Sequence, residues 1–193
     1  CDIVVMNGRA PRTKTPEQLL AEFDALYATG FRGQVFVVDD NFIGNKVAVK
    51  RLLPKLAAWQ NAHHYPFILL TEAGMNLADD EQLMSMMSAA NFSKVFLGIE
   101  TPSAESLHEC GKFQNTGRDL VGAVETIHAH GMQVMGGFIV GFDHDSEGIF
   151  DAQIQFIQRV GIVVAMVVVL TALPKTRLWK RLEAENRLLG DCA

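Results

Sequence analysis

Five nearly continuous apolar runs recur about every 30 residues along the chain, and that spacing constrains the fold more than any other feature. They are Gln34 to Val38, Phe67 to Leu70, Lys94 to Ile99, Gln133 to Phe142 and Val164 to Leu170. None alternates apolar with polar residues. Runs rich in Val, Ile, Leu and Phe without alternation fit parallel strands covered on both faces. The longest apolar stretch, Val160 to Leu173, falls short of the roughly 20 residues of a membrane-spanning helix. It is β-branched and stops at Pro174, so it reads as a strand buried on both faces.

The segments between the runs carry helix punctuation. Thr15-Pro16-Glu17-Gln18 reads as an N-cap, a proline at the first helical position and a capping-box partner, with a stop at Gly30. A second helix is expected from Asn45 to Ala62, with Leu52, Leu53 and Leu56 on one face. Further helices are expected from Asp79 or Asp80, after Thr101-Pro102, from about Thr116 to Gly131, from Ser146 to Gly161 and from about Lys175. This strand-helix alternation means an α/β fold with a parallel sheet, and periodicity leaves an open doubly wound sheet and a barrel both open. The pattern starts in a loop and helix with no preceding strand. Together with the non-methionine first residue, this suggests one domain, residues 1–193, belonging to a longer protein.

The residues just past each run carry the chemistry. Asp39, Asp40 and Asn41 come after the first run, Thr71 and Glu72 after the second, and Glu100 and Thr101 after the third. The fourth leads into Asp143, His144 and Asp145, and the fifth into Thr171. In a βα barrel these positions form one rim, where sites are built. Helix capping is the plainer reading for Thr101 and Ser146. It fits Glu100 poorly, because glutamate is a weak N-cap. The stretch GGFIVG, Gly136 to Gly141, puts glycines in a strand, which points to a flat ligand against the backbone, to tight packing or to a bulge.

Several function classes are disfavoured. A net charge of −5 gives no basic field for nucleic acid. Three scattered cysteines, Cys1, Cys110 and Cys192, are not a disulfide framework, so a reducing, cytoplasmic compartment is expected. No GxGxxG dinucleotide fingerprint, HExxH or GxSxG motif occurs.

Taken in order, the initial Cys-Asp-Ile, FVVDDNF (Phe36 to Phe42), FLGIET (Phe96 to Thr101), GGFIVGF and LPKTRLWKRLEAENRLL resemble the radical S-adenosylmethionine (radical SAM) superfamily. More narrowly they resemble its cobalamin-binding members, which include hopanoid methylases. The resemblance implies a partial (β/α)6 barrel of TIM type lacking its first strand, strands two to six being present. It implies that Cys1 is the third cysteine of a CxxxCxxC motif, a ligand of a 4Fe-4S cluster that leaves one iron open to S-adenosyl-L-methionine. Reduction would then yield a 5'-deoxyadenosyl radical, with the cofactors carrying the chemistry and the protein orienting them.

The resemblance also assigns residues. Glu100 is expected near the amino group or ribose of S-adenosylmethionine, and Gly137, Ile139 and Gly141 along the adenine. Asp39, Asp40, Thr71 and Glu72 would line the same rim, and Leu173 with Pro174 matches the last-strand segment. Lys112 and Arg118 are candidates for the methionine carboxylate. There are two departures. His144 occupies a position where the family often has an acid, flanked by Asp143 and Asp145, and Lys175 occupies a turn position where glycine is usual. The implied reaction is cobalamin-dependent methylation of an unactivated carbon in a small molecule or lipid such as a hopanoid. An external electron donor is implied, and a lipid substrate would bring membrane association. The competing readings are another radical SAM reaction, such as methylthiolation or rearrangement, and a cluster-free module binding a nucleotide or metabolite.

Overall fold

The protein is described by a computed structural model covering residues 12–188. Its elements are α1 (Pro16–Ala28), β1 (Gly33–Val37), α2 (Lys46–Ala62), β2 (Phe67–Ala73), α3 (Glu81–Ala89), β3 (Phe92–Glu100), α4 (Ala104–Glu109), α5 (Leu120–Ala129), β4 (Gln133–Val140), α6 (Ile149–Val160), β5 (Val164–Val169) and α7 (Arg177–Ala184). The five strands match the five apolar runs. They pair in sequence order, all parallel, so every connection is a crossover. The sheet curls into a half-barrel, helices outside and a concave inner face.

Alternation sorts the side chains by face. On β2, Phe67, Leu69, Thr71 and Ala73 are buried against the helices, while Ile68, Leu70 and Glu72 turn inward. On β3 the buried set is Phe92, Val95, Leu97 and Ile99, and on β4 it is Val134, Gly136, Phe138 and Val140. Leu53 and Leu56 of α2, Leu83, Met84 and Met87 of α3 and Val124 and Ile127 of α5 complete the core. At one end Trp59 stacks on Phe67 at 5.6 Å between centroids, and its Nε1 donates to Asp24 Oδ1 at 2.7 Å. The indole therefore buries its rings without stranding its N–H.

Most helix starts obey the sequence signals. Thr15 and Gln18 form the capping box, and Asn45 and Asp80 cap α2 and α3 through their side chains. Three starts differ. Thr101 accepts a hydrogen bond from Ser103 N–H, and Ser103 caps α4 in its place. The stretch from Lys112 to Gly117 forms successive turns, so α5 begins only at Leu120, capped by Asp119. The Ser146 carbonyl accepts from Ile149 N–H, and α6 starts at Ile149.

The largest difference is β5. Its composition predicts a strand covered on both faces, yet every residue from Val164 to Val169 is exposed. The strand pairs with β4 alone among the described residues, and no α7 residue is buried. A continuous β-branched run reports that a strand is suited to cover, not that a covering layer is present among the described residues.

The glycines of GGFIVG have separate reasons. Gly136 lies in the core, where an added Cβ would stand 2.6 Å from Phe138 Cε2. Gly137 faces inward, where an added Cβ would stand 2.8 Å from Phe96 Cζ. Gly141 has φ +97°, a backbone state open to glycine.

Candidate active site at the strand ends

The inner wall of the half-barrel is apolar. Phe36 of β1, Ile68 and Leu70 of β2, Phe96 of β3 and Met166 of β5 share it, and several of these are well exposed. Lys94 Nζ donates to Gln34 Oε1 at 3.3 Å, bridging β3 to β1 over the inner side of β2. Polar groups gather at the carboxyl ends of the strands.

Glu100 is the most specifically shaped of them. The β3–β4 register runs Gly98 to Gly137 and then Glu100 to Phe138, so Ile99 is an extra residue, a bulge. Glu100 itself has φ +70°, which a residue with a Cβ rarely adopts. Its carboxylate pairs with Lys112 Nζ, both side chains being mostly buried. Gly98 makes room: a Cβ there would lie 2.8 Å from Glu100 Oε1 and 2.9 Å from Lys112 Nζ. Asn115, on the same turn as Lys112, donates through Nδ2 to the carbonyls of Gly98 and Ile99 at 3.1 and 3.3 Å. A strand-end bulge of this kind re-aims a side chain. The sequence offered only the GIE triplet; neither the bulge nor the part of Asn115 could be read from it.

The acids of β1 and β2 form a second group. Burial pushes the Glu72 carboxyl above its ordinary value, and the charges of Asp40 and Asp39 push it the same way. Asp39 and Asp40 are exposed; Asp39 Oδ1 accepts from Asn41 N–H at 2.9 Å. Thr71, expected on this rim, turns to the opposite face. It is fully buried and its hydroxyl donates to the Val37 carbonyl at 2.9 Å, so it ties β2 to β1. Strand alternation separates it from its neighbour Glu72.

The two aspartates beside His144 have different duties in the loop after β4. Asp145 Oδ2 accepts the N–H groups of Gly141 and Phe142 at 2.8 and 3.1 Å, and Oδ1 accepts from Ser106 Oγ at 2.8 Å. It therefore shapes the loop. Asp143 faces Arg181 and Arg187, and His144 Nδ1 lies 2.8 Å from Glu109 Oε2. Glu109, which carries no motif in the sequence, is nearly buried and also binds Arg181 at 3.0 Å. Burial alone would raise its carboxyl; the hydrogen bonds from His144, Arg181 and the amides of Asp143 and His144 outweigh that and hold it low.

The remaining candidates divide. Ile139 lies on the inner face of β4 beside Gly137, Gly141 follows just past the strand end, and Glu100 is on the neighbouring strand. Leu173 is half exposed past the end of β5. Lys175 has φ +70°, the strained turn that its sequence position implied. Arg118 is committed to Asp79 through two hydrogen bonds at 2.6 and 2.8 Å, which leaves Lys112 as the cation at Glu100. Cys110 is half-buried; burial pushes its thiol up, so it is not poised as a thiolate. Cys1 and Cys192 lie outside the described residues.

The radical SAM superfamily profile matches residues 1–157. The chain belongs to this superfamily. It is 51% identical over 191 residues to an uncharacterized methyltransferase of Synechocystis, covering 99% of this chain and 36% of that protein. It is 41% identical over 191 residues to the hopanoid C-2 methylase of Rhodopseudomonas palustris, again covering 99% of this chain and 36% of that one. The chain thus spans about a third of these curated relatives. Among solved structures, a radical SAM methyltransferase of Kitasatospora setae, with cobalamin and a [4Fe-4S] cluster bound, superposes with a TM-score of 0.73 at 18% identity. That superposition covers 90% of this chain and 34% of that one. It supports the partial radical SAM barrel expected from the sequence.

Proposed function

We propose that this chain is the core of a radical SAM methyltransferase that methylates an unactivated carbon of an apolar molecule, with cobalamin as methyl carrier. The observation that carries the reading is one buried ion pair, Glu100–Lys112, at the mouth of an apolar concave wall and beside the bare glycines of β4. Each residue would have a distinct task. Glu100 would accept hydrogen bonds from the ammonium or ribose hydroxyls of S-adenosylmethionine, and Lys112 would meet its carboxylate. Gly137, once the Phe96 ring swings aside, and Gly141, just past β4, would let the adenine ring approach the backbone closely, and Ile139 would supply an apolar contact. Phe36, Ile68, Leu70 and Phe96 would take a hydrocarbon skeleton and exclude water. Asp39 and Asp40 follow β1 and Glu72 lies near the end of β2, the strand beside β3, where a carboxyl with a raised proton affinity could donate a hydrogen bond to substrate.

If bound, the 4Fe-4S cluster with S-adenosylmethionine would supply radical chemistry on reduction by an external donor, and methylcobalamin would supply the methyl group. The described residues fit S-adenosylmethionine through Glu100, Lys112 and the glycines. Cys1 would be a cluster ligand on the family resemblance alone. The chain's share of this chemistry is to bind, orient and keep the radical away from solvent.

Two measurements test the reading. In the reconstituted full-length protein, Glu100→Gln should weaken S-adenosylmethionine binding about tenfold, the scale of one hydrogen bond to a charged group. Unchanged affinity removes Glu100 from the site. Methyl transfer to a polycyclic hydrocarbon lipid should require added cobalamin; transfer without it, or methylthiolation instead, overturns the proposed reaction.

A further inference from the structure

Glu100 does not point into the half-barrel by its strand position alone. It sits at the centre of a three-residue turn in which Thr101 N–H donates to the Ile99 carbonyl at 3.0 Å, and its φ is +70°. A γ-turn with positive φ is rare and strained. Such strain persists only where the surroundings over-determine it. The group placed to do so is the Asn115 amide, which donates to the carbonyls of both residues preceding Glu100.

Three features set Asn115 apart from an ordinary buried amide. The residue is almost completely buried, and its Oδ1 has no hydrogen-bond partner among the described residues. Burying an amide with an unmet acceptor is unfavourable, so an apolar residue would serve packing better. The orientation is fixed as well, because the flipped amide would set its oxygen against two carbonyl oxygens. Finally, Asn115 N–H donates to the Lys112 carbonyl at 2.9 Å, closing the turn that carries the ammonium paired with Glu100. One short turn thus holds the Glu100 backbone through Asn115 and the Glu100 carboxylate through Lys112.

We propose that Asn115 is a positioning residue for S-adenosylmethionine binding, acting through Glu100 by holding the Gly98–Ile99 bulge that aims the carboxylate inward. The inference rests on the reading that Glu100 meets S-adenosylmethionine.

The test is a double-mutant cycle in the full-length protein, reconstituted anaerobically with iron and sulfide, with S-adenosylmethionine affinity as the readout. Asn115→Ala should weaken binding about fivefold or more, the scale of two net hydrogen bonds. In the Glu100→Gln background the same substitution should add almost nothing, since the carboxylate it aims is already gone. Equal loss in both backgrounds, or no loss in either, overturns the role of Asn115. Wild-type affinity in Glu100→Gln alone overturns the reading beneath it, so the two failures are told apart. Asn115→Asp keeps shape and volume and guards against a folding defect. Buried against two carbonyls, that aspartate should stay protonated and donate one bond near neutral pH, then lose it on ionising. Its affinity should therefore fall more steeply than the wild type's as pH rises above neutrality; parallel pH profiles also count against the proposal.

Discussion

Adding one methyl group at Gly136 and at Gly137 should give opposite results at adjacent positions. At Gly136 the new Cβ would stand 2.6 Å from Phe138 Cε2 and 3.2 Å from both Ile162 Cδ1 and Ile99 Cδ1. Carbon atoms rest about 3.5–4.0 Å apart, so the overlap with the ring is about 1 Å. Phe138 is 1% exposed and cannot retreat. Overpacking of this kind costs about 1–3 kcal/mol. Removing glycine's freedom from the unfolded chain returns about 0.4–1 kcal/mol. The net loss, about 1–2 kcal/mol, lowers Tm by about 2–8 °C in a chain of this size. At Gly137 the Cβ would stand 2.8 Å from Phe96 Cζ, but that ring borders the open concave side and can swing away. Gly137→Ala should therefore hold its melting temperature better and lose S-adenosylmethionine affinity instead. Calorimetry and binding isotherms on the pair check both halves. Equal melting temperatures, or a Gly136→Ala protein more stable than wild type, would refute the assignment of Gly136 to packing and Gly137 to the site.

Three further outcomes are expected. Glu72 has a folded-state pKa above its unfolded value, so its ionisation opposes folding and stability falls as pH rises through that window; Glu72→Gln should raise Tm at neutral pH and lose the advantage in acid. Glu109 has the opposite sign: its stabilisation is present above its unfolded pKa and is lost as pH falls through the lower folded one, so Glu109→Gln should flatten the acid limb of stability and loosen α7, read by hydrogen exchange. Lys175→Gly should gain about 1 kcal/mol, because φ +70° costs a lysine what it does not cost a glycine; a drop in the urea midpoint counts against the strain.

How much of the structure the sequence disclosed depends on range. The capping box at Thr15 and the apolar runs are local, and the structure keeps them because every level agrees. Thr101 misleads because two hydroxyls stand at the start of α4, and Ser103 rather than Thr101 takes the cap. Thr71 misled because one residue of strand phase separates a core side chain from a site side chain. The bulge at Ile99 depends on register between strands more than 30 residues apart, and the clamp by Asn115 depends on a loop folding back onto it. Neither leaves a periodic trace. For β5 the composition specifies a strand, while its exposure depends on neighbours no stretch of six residues can specify.

That bare strand has a practical consequence. Val164–Val169 presents valines on both sides and, beyond its pairing with β4, a row of unused backbone donors and acceptors among the described residues. Such an edge is a template for a foreign strand, and concentrated samples should self-associate there before the helical shell loosens. A lysine in place of Val167 would act as a gatekeeper, keeping the solution clear without touching the rim where Glu100 sits.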